Sequence, residues 1–301
     1  MPYNHVALIG LGLISSSIAL ALKRQDKFIK ITGTSRSIKT RKKAIDLGIC
    51  EVKENVIEAV EGADLIILCV PVGAMVSVFR QFVKTLKPGV TVTDVGSVKV
   101  EVIAGILPLV PFGVNFIPGH PLAGTENSGP ESGFATLFDN RWCLLTPTKD
   151  SSLESVQRLR SFWEGLGAKV DEMEAEHHDL VLAVTSHVPH LIAYTMVGVA
   201  DDLANITKSE VINYSAAGFR DFTRIAASDP IMWRDVFLNN KEASLEILGR
   251  FTEELTALQR AVRRGDGKLL FDYFTRTREV RRKIVEAGQD IDEPNFGRGK
   301  K

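Results

Sequence analysis

The sequence predicts an α/β domain built on a doubly wound parallel sheet, followed by an all-helical domain. Short β-branched runs alternate with helical stretches over the first half of the chain, a glycine-rich turn joins the first run to the first helix, and beyond about Glu174 the pattern is helical. A length of 301 residues suits two domains, and 45% hydrophobic with 25% charged residues supplies a core without a bias to disorder. The 37 basic and 37 acidic side chains cancel. Phosphate binding depends on an excess of cations, so no nucleic-acid partner is expected. Cys50, Cys69 and Cys143 are too few and too scattered for a disulfide framework or a Cys-rich metal site, which suits a reducing, cytoplasmic setting.

Each element follows from pattern. Residues 5–10, 29–34, 65–70 and 90–95 are short apolar or β-branched runs and read as buried strands. Residues 15–24, 39–47 and 73–86 read as the helices between them, so the connections are crossovers and the sheet is parallel. Further strands are expected at 115–118, 142–146 and 169–173, with a helix over 153–166. In the second half, Leu245, Leu248, Leu255, Leu258 and Val262 fall on one helix face, and another helix runs from 268 to about 287. The uncharged run 6–22 is not read as a membrane span. It falls short of the roughly 20 apolar residues required, two glycines and three serines interrupt it, and its basic pair, Lys23-Arg24, follows rather than precedes it. The resulting division is 1–174 as a Rossmann-type dinucleotide-binding domain, 175–289 as a helical domain and 290–301 as a flexible tail.

Gly10-Leu11-Gly12-Leu13-Ile14-Ser15 lies between the first strand and the first helix, the setting a dinucleotide fingerprint requires. Gly10 permits the tight turn, and Gly12 lets a pyrophosphate approach the helix N-terminus, where free N–H groups and the helix dipole favour an anion. Gly10, Gly12, Leu13 and Ile14 are therefore assigned to the cofactor, with Val70 and Ser97 after later strands. Ser15 replaces the usual third glycine. NAD calls for a carboxylate at the end of the second strand to accept from the ribose hydroxyl, but the chain offers Gly33-Thr34-Ser35-Arg36-Ser37. Ser35 and Arg36, with Thr34 and Ser37, suit a 2′-phosphate, which favours NADP over NAD. At the carboxyl ends of later strands lie Ser97 and His120. Histidine titrates near neutrality and can accept a hydroxyl proton while hydride leaves the same carbon, and Ser97 could orient its ring. A loop histidine beside a proline is the plain structural alternative.

Five motifs occur in one order: the glycine turn, Asp94-Val95-Gly96-Ser97-Val98-Lys99, Gly119-His120-Pro121-Leu122-Ala123-Gly124-Thr125-Glu126, Thr185-Ser186-His187-Val188-Pro189-His190, and Gly218-Phe219-Arg220-Asp221-Phe222-Thr223-Arg224. On these the chain, from about residue 5 to 287, resembles the prephenate and arogenate dehydrogenases, the cyclohexadienyl dehydrogenases of tyrosine biosynthesis. The resemblance implies oxidative decarboxylation of a cyclohexadienol carrying two carboxylates. It implies His120 and Ser97 as the catalytic pair, Arg224 as the carboxylate-binding cation, and His190 and Trp233 as pocket residues. It also implies a homodimer formed through the helical domain, with no chorismate mutase or ACT domain expected in the chain. Arg220 is equally suited to a surface salt bridge, and Trp233 to the helical core. Asp221 could gate Arg224. Glu126 either favours the ammonium of arogenate over the keto group of prephenate or pairs with Arg224 and controls access.

Zinc is the rival use of the histidines, with Glu176, His177 and His178 as further candidates. No His-Glu-x-x-His pattern exists, adjacent His177 and His178 point to different sides of a helix, and the chemistry needs no Lewis acid, so no metal is expected. The cluster 174–179 reads instead as an acidic helix start. Two other functions share part of this pattern. A β-hydroxyacid or imine dehydrogenase would employ a lysine of the helical half, and a non-catalytic dinucleotide sensor would bind NADP without turnover.

Overall fold

The computed structural model describes residues 1–213 and 216–286. The expected tail, 290–301, and the helix end near 287 lie outside the described residues. The chain divides into two compact units, Met1–Leu245 and a second beginning at Glu246.

The first unit opens with β1 (His5–Ile9), α1 (Leu13–Gln25), β2 (Lys30–Thr34) and α2 (Ile38–Asp46). The sequence pattern did not mark β3 (Glu51–Val52) or α3 (Val56–Val60), because two residues of strand and five of helix are too short to show periodicity. Next come β4 (Leu65–Leu68), α4 (Val72–Phe82), β5 (Thr91–Asp94), α5 (Val100–Ile106) and β6 (Asn115–Phe116). These six strands form one parallel sheet in the order β3-β2-β1-β4-β5-β6. The order reverses between β1 and β4, and at that switch point the helices leave for opposite faces and open a crevice at the strands' carboxyl ends.

Burial explains why β1 reads as a continuous apolar run. Its alternate residues Val6 and Leu8 enter a core with Leu22, Phe162 and Trp163, whereas Ala7 and Ile9 enter a second core with Met75, Phe79 and Phe82 on the other face. The same second core includes Trp233 and Val236, so α10 (Pro230–Asn239, below) is docked on the sheet domain.

The later strands depart from the expected single sheet. β7 (Gly119–Pro121), β8 (Trp142–Leu145) and, after α6 (Leu153–Gly165), β9 (Lys169–Glu172) make a separate three-stranded sheet, with β7 antiparallel to β8 and β8 parallel to β9. Only Ile117 and Pro118 separate β6 from β7, so the chain passes directly from one sheet to the other and sets His120 beside the end of β5.

From α7 (Ala175–Leu182) the chain is helical. The sequence suggests a helix start at 187–190, whereas the helix runs from α7 through a π turn, Ala183–His187, into α8 (Val188–Asn213). Pro189 has no N–H for the Thr185 carbonyl and its ring crowds the preceding turn; a widened turn just before it accommodates both effects without ending the helix. The stretch Ala175–Asp202 is apolar and long enough to cross a bilayer by composition alone, but it carries His178, His187 and His190 of the site below. α9 (Ala217–Thr223) and a 3₁₀ turn, Arg224–Ala227, lead to α10, whose N-cap Asp229 accepts from the Ile231 and Met232 N–H groups. α11 (Lys241–Arg264) begins in the first unit, and α12 (Gly267–Glu286) belongs to the second. Along these two helices Leu255, Val262, Phe271 and Phe274 stay more than half exposed in the single chain.

Candidate active site

The turn after β1 has the geometry its glycines foretell. Gly10 sits at φ +102°, and a Cβ there would stand 2.4 Å from the Cys69 carbonyl oxygen, so the turn abuts the end of β4 as only glycine allows. At Gly12, by contrast, a Cβ would meet nothing within 4 Å, which leaves the approach to the start of α1 open. Leu13 and Ile14 begin that helix, and Val70 follows β4 beside Gly10. Ser15 is fully buried and serves as more than a small substitute for glycine: its hydroxyl accepts from the Gly12 N–H at 2.8 Å. These residues fit a dinucleotide pyrophosphate at the switch point.

The loop after β2 has no acidic side chain. Arg36 is exposed, Ser35 is half-buried, and Arg41 Nη1 donates to the Ser35 carbonyl at 2.6 Å and holds the loop. Ser37 caps α2 by accepting from Thr40 N. The Thr34 hydroxyl, expected among the phosphate donors, donates instead to the Lys53 carbonyl at 2.8 Å, because Thr34 still lies within the sheet.

His120 is buried on β7. Its Nδ1 lies 2.9 Å from His178 Nε2, and His178 Nδ1 lies 2.8 Å from Asp179 Oδ1. Asp179 also accepts the main-chain N–H groups of Lys99 and Val100 at 2.8 and 2.9 Å. A carboxylate only accepts, so His178 presents Nδ1–H to it and its Nε2 becomes an acceptor. His120 must then donate through Nδ1, leaving its Nε2 lone pair as a base. From the sequence, Ser97 is one group that could orient the ring. Among the described residues the ring is held by His178, because β7 turns Nδ1 toward α7, and Ser97 stands half-buried in the turn between β5 and α5. Burial first, and to a smaller degree the nearby Lys99 cation, hold His120 well below the ordinary histidine range. It is neutral and able to accept a proton at physiological pH.

A buried ion pair braces this arrangement. Lys99 and Asp94 have fully buried side chains in contact, Lys99 Nζ also donates to the Gly119 carbonyl at 2.8 Å, and Asp94 accepts from Gly96 N and Gly119 N. With several hydrogen bonds around it, the pair fixes the peptide leading into His120 rather than leaving a charge unsatisfied.

The rest of the pocket comes from α8 to α10. His190 stacks on Trp233 with ring centroids 3.6 Å apart at 24°, and its Nδ1 donates to the Ser186 carbonyl at 2.8 Å. Burial, with a smaller effect from Arg224, lowers the His190 pKa. Arg224 Nη1 donates to Glu126 Oε2 at 2.9 Å, both side chains being a little over one third exposed. Arg224 Nε and Trp233 Nε1 are buried N–H groups without an acceptor among the described residues, which suits an anionic ligand. Asp221 and Arg220 are exposed on α9.

Apart from the zinc alternative for His178, nothing in the sequence marks His178 or Asp179 as functional groups. Their adjacency within an acidic cluster resembles a helix start, and no local pattern shows that α7 brings them against β7.

A parallel sheet covered on both faces, with this glycine turn and joined to a buried neutral histidine and a cationic pocket, defines a dehydrogenase that uses a nicotinamide dinucleotide. Comparison with known proteins gives the family. The model of the prephenate dehydrogenase nucleotide-binding domain matches residues 18–172, and that of the prephenate dehydrogenase dimerization domain matches residues 174–276. Cyclohexadienyl dehydrogenase of Zymomonas mobilis is 40% identical, over 93% of this chain and 95% of that protein. Prephenate dehydrogenase of Bacillus subtilis is 33% identical, over 92% and 75%. Among solved structures, prephenate dehydrogenase from Aquifex aeolicus in complex with hydroxyphenyl propionate and NAD+ superposes with a TM-score of 0.85 at 34% identity, covering 93% of this chain and 98% of that one. Synechocystis arogenate dehydrogenase does so with a TM-score of 0.76 at 27% identity, covering 93% and 99%. The chain belongs to the prephenate dehydrogenase family. Its activity is the NAD(P)-linked oxidative decarboxylation of tyrosine biosynthesis.

The burial of His120, His178 and His187 as neutral rings has a consequence for stability. Each folded pKa is lowered from 6.5, that of His187 to about 4, with burial the largest cause. Between the two values the unfolded chain binds more protons, so their contribution is complete above about pH 6.5 and is lost as pH falls toward 4, on the order of 3 kcal/mol for His187. Thermal melts at stepped pH should show Tm falling through this window. A flat Tm would contradict neutral burial.

Proposed function

We propose that His120 is the base of the oxidative decarboxylation, carried by one observation: the Asp179–His178–His120 chain, which leaves the His120 Nε2 lone pair free. The bound nicotinamide supplies the hydride acceptor. His120 Nε2 takes the 4-hydroxyl proton of the cyclohexadienol as hydride leaves the same carbon; loss of the ring carboxylate as CO2 makes the ring aromatic as a phenolate, to which the proton on His120 returns. Aromatisation drives the reaction, so the protein's work is to position the substrate, deprotonate it and screen its charge. Ser97, beside a ring whose Nδ1 is held by His178, contacts the reacting hydroxyl or the cofactor.

Arg224 binds a substrate carboxylate through its forked donors, with its buried Nε and the Trp233 Nε1–H group available as further donors. His190, stacked on Trp233, forms the pocket wall. In this reading Glu126 holds Arg224 between substrates, and Asp221 on the neighbouring turn takes part in the same exchange. Gly10, Gly12, Leu13, Ile14 and Val70 hold the dinucleotide, and Ser35 with Arg36 recognises a 2′-phosphate, so NADP is preferred to NAD. Both prephenate and arogenate are accepted.

The protein acts in the cytoplasm as a homodimer. Support for the dimer comes from the matched dimerization model and from the apolar residues Met196, Val197 and Val199 of α8 and Phe271 and Phe274 of α12, which are exposed in the single chain.

The test is spectrophotometric, with prephenate and arogenate each assayed against NAD and NADP. Absence of cofactor reduction in all four combinations would exclude the activity. His120→Asn should lower kcat by about 10²–10⁴ with little change in KM, whereas Arg224→Ala should mainly raise KM. Equal losses in both variants would show that the roles are misassigned. Replacing Arg36 by Ala should reduce the NADP/NAD ratio of kcat/KM by about tenfold, the value of one charge-assisted contact, and an unchanged ratio would remove Arg36 from cofactor choice. For Glu126→Gln, a shifted arogenate/prephenate ratio would mark recognition of the substrate ammonium. A constant ratio would leave Glu126 with the access role alone.

A further inference from the structure

Asn240, the residue that ends α10, is buried, and its side-chain amide nitrogen reaches two groups on other segments. Nδ2 lies 2.8 Å from the Asp179 main-chain carbonyl and 3.0 Å from His187 Nδ1. A carbonyl oxygen can only accept, which fixes the orientation of the amide with its NH2 toward Asp179. The second amide proton then points at His187 Nδ1, and that nitrogen must accept. His187 is left with its proton on Nε2. This Nε2 is buried and makes no hydrogen bond among the described residues, and the Ser97 main chain is the neighbour whose carbonyl favours a charged ring. Burial lowers the His187 pKa to about 4, so the ring is neutral and has a single tautomer to be fixed.

We infer that Asn240 is a positioning residue of the active site: its one amide group ties α7, beside His178, to the π turn and fixes His187 as the Nε2–H tautomer facing the Ser97 turn. The geometry explains why an asparagine stands there. An aspartate could not donate to either neighbour, and an aliphatic residue would leave the Asp179 carbonyl and His187 Nδ1 buried without a donor. The inference rests on the reading of His120 as the base, since His178 and Ser97 matter through that ring.

Two measurements test it. In wild-type protein labelled with ¹⁵N-histidine, long-range ¹H–¹⁵N correlations should show the His187 proton on Nε2, with the signal assigned by its loss in His187→Asn. A proton on Nδ1 would overturn the inference without recourse to any Asn240 variant, including one that fails to fold. Asn240→Asp, an isostere that only accepts, should move the His187 proton to Nδ1 and lower kcat by about tenfold or more, while the cofactor KM stays within about twofold, as for other residues that orient a contacting group. Wild-type kcat in Asn240→Asp, or an unmoved tautomer, would overturn it as well. His120→Asn, assayed in parallel, separates the two readings. Turnover retained in that variant removes the base assignment and this inference together, whereas turnover lost there but normal in Asn240→Asp overturns this inference alone.

Discussion

The Asp179 carboxylate determines the order of protons in the site. It accepts the Lys99 and Val100 N–H groups at the start of α5, where main-chain donors have no partner within the helix, and it accepts from His178 Nδ1. An ionised carboxylate held in this way cannot donate, so the polarity of the chain runs one way, from His120 through His178 to Asp179. The reacting end is then a nitrogen lone pair. Replacement of the carboxylate by a donor would reverse that polarity and turn the same buried ring into an acid.

Around this carboxylate the remainder of the site is braced from two directions. On the sheet side, the Lys99–Asp94 pair fixes Gly119 and so the entry into β7. From the helical side, Trp233 and Val236 dock α10 into the core that covers β4 and β5, which brings Trp233 under His190 and places Asn240 against α7. Histidines from one helix and one short strand can therefore meet although 58 residues separate them. The π turn keeps that helix unbroken through Pro189, so His178, His187 and His190 stand on one continuous scaffold, as suits groups that must be held within a fraction of an ångström.

Much of the fold was legible because its signals are local. The runs at residues 5–10 and 65–70 read as buried strands since both sheet faces are covered, and the glycine turn was recognisable because a positive φ at Gly10 and an open approach at Gly12 are demands of a few consecutive residues. The strands β8 and β9 are expected from sequence but β7 and their separate sheet are not, since three residues are too short to show a pattern and extended chain carries no record of its pairing partner. At 187–190, proline suggested a helix start, and only the turn widened ahead of it shows how the helix continues.

For the site, sequence alone determined the chemical inventory: a dinucleotide turn, a loop after β2 with Arg36 and no carboxylate, a histidine beyond a strand end and an arginine in the helical half. Each is a residue type in a local context, and residue types set what a group can donate, accept or neutralise. Which of them touch was decided by the tertiary structure. It gave His120 Nδ1 to His178, engaged Thr34 with Lys53, paired Arg224 with Glu126 and set Asn240 between Asp179 and His187. The physical reason is that a tautomer, unlike a helix or a turn, is fixed by hydrogen-bond partners across space, and those partners come from elements that are distant in the chain.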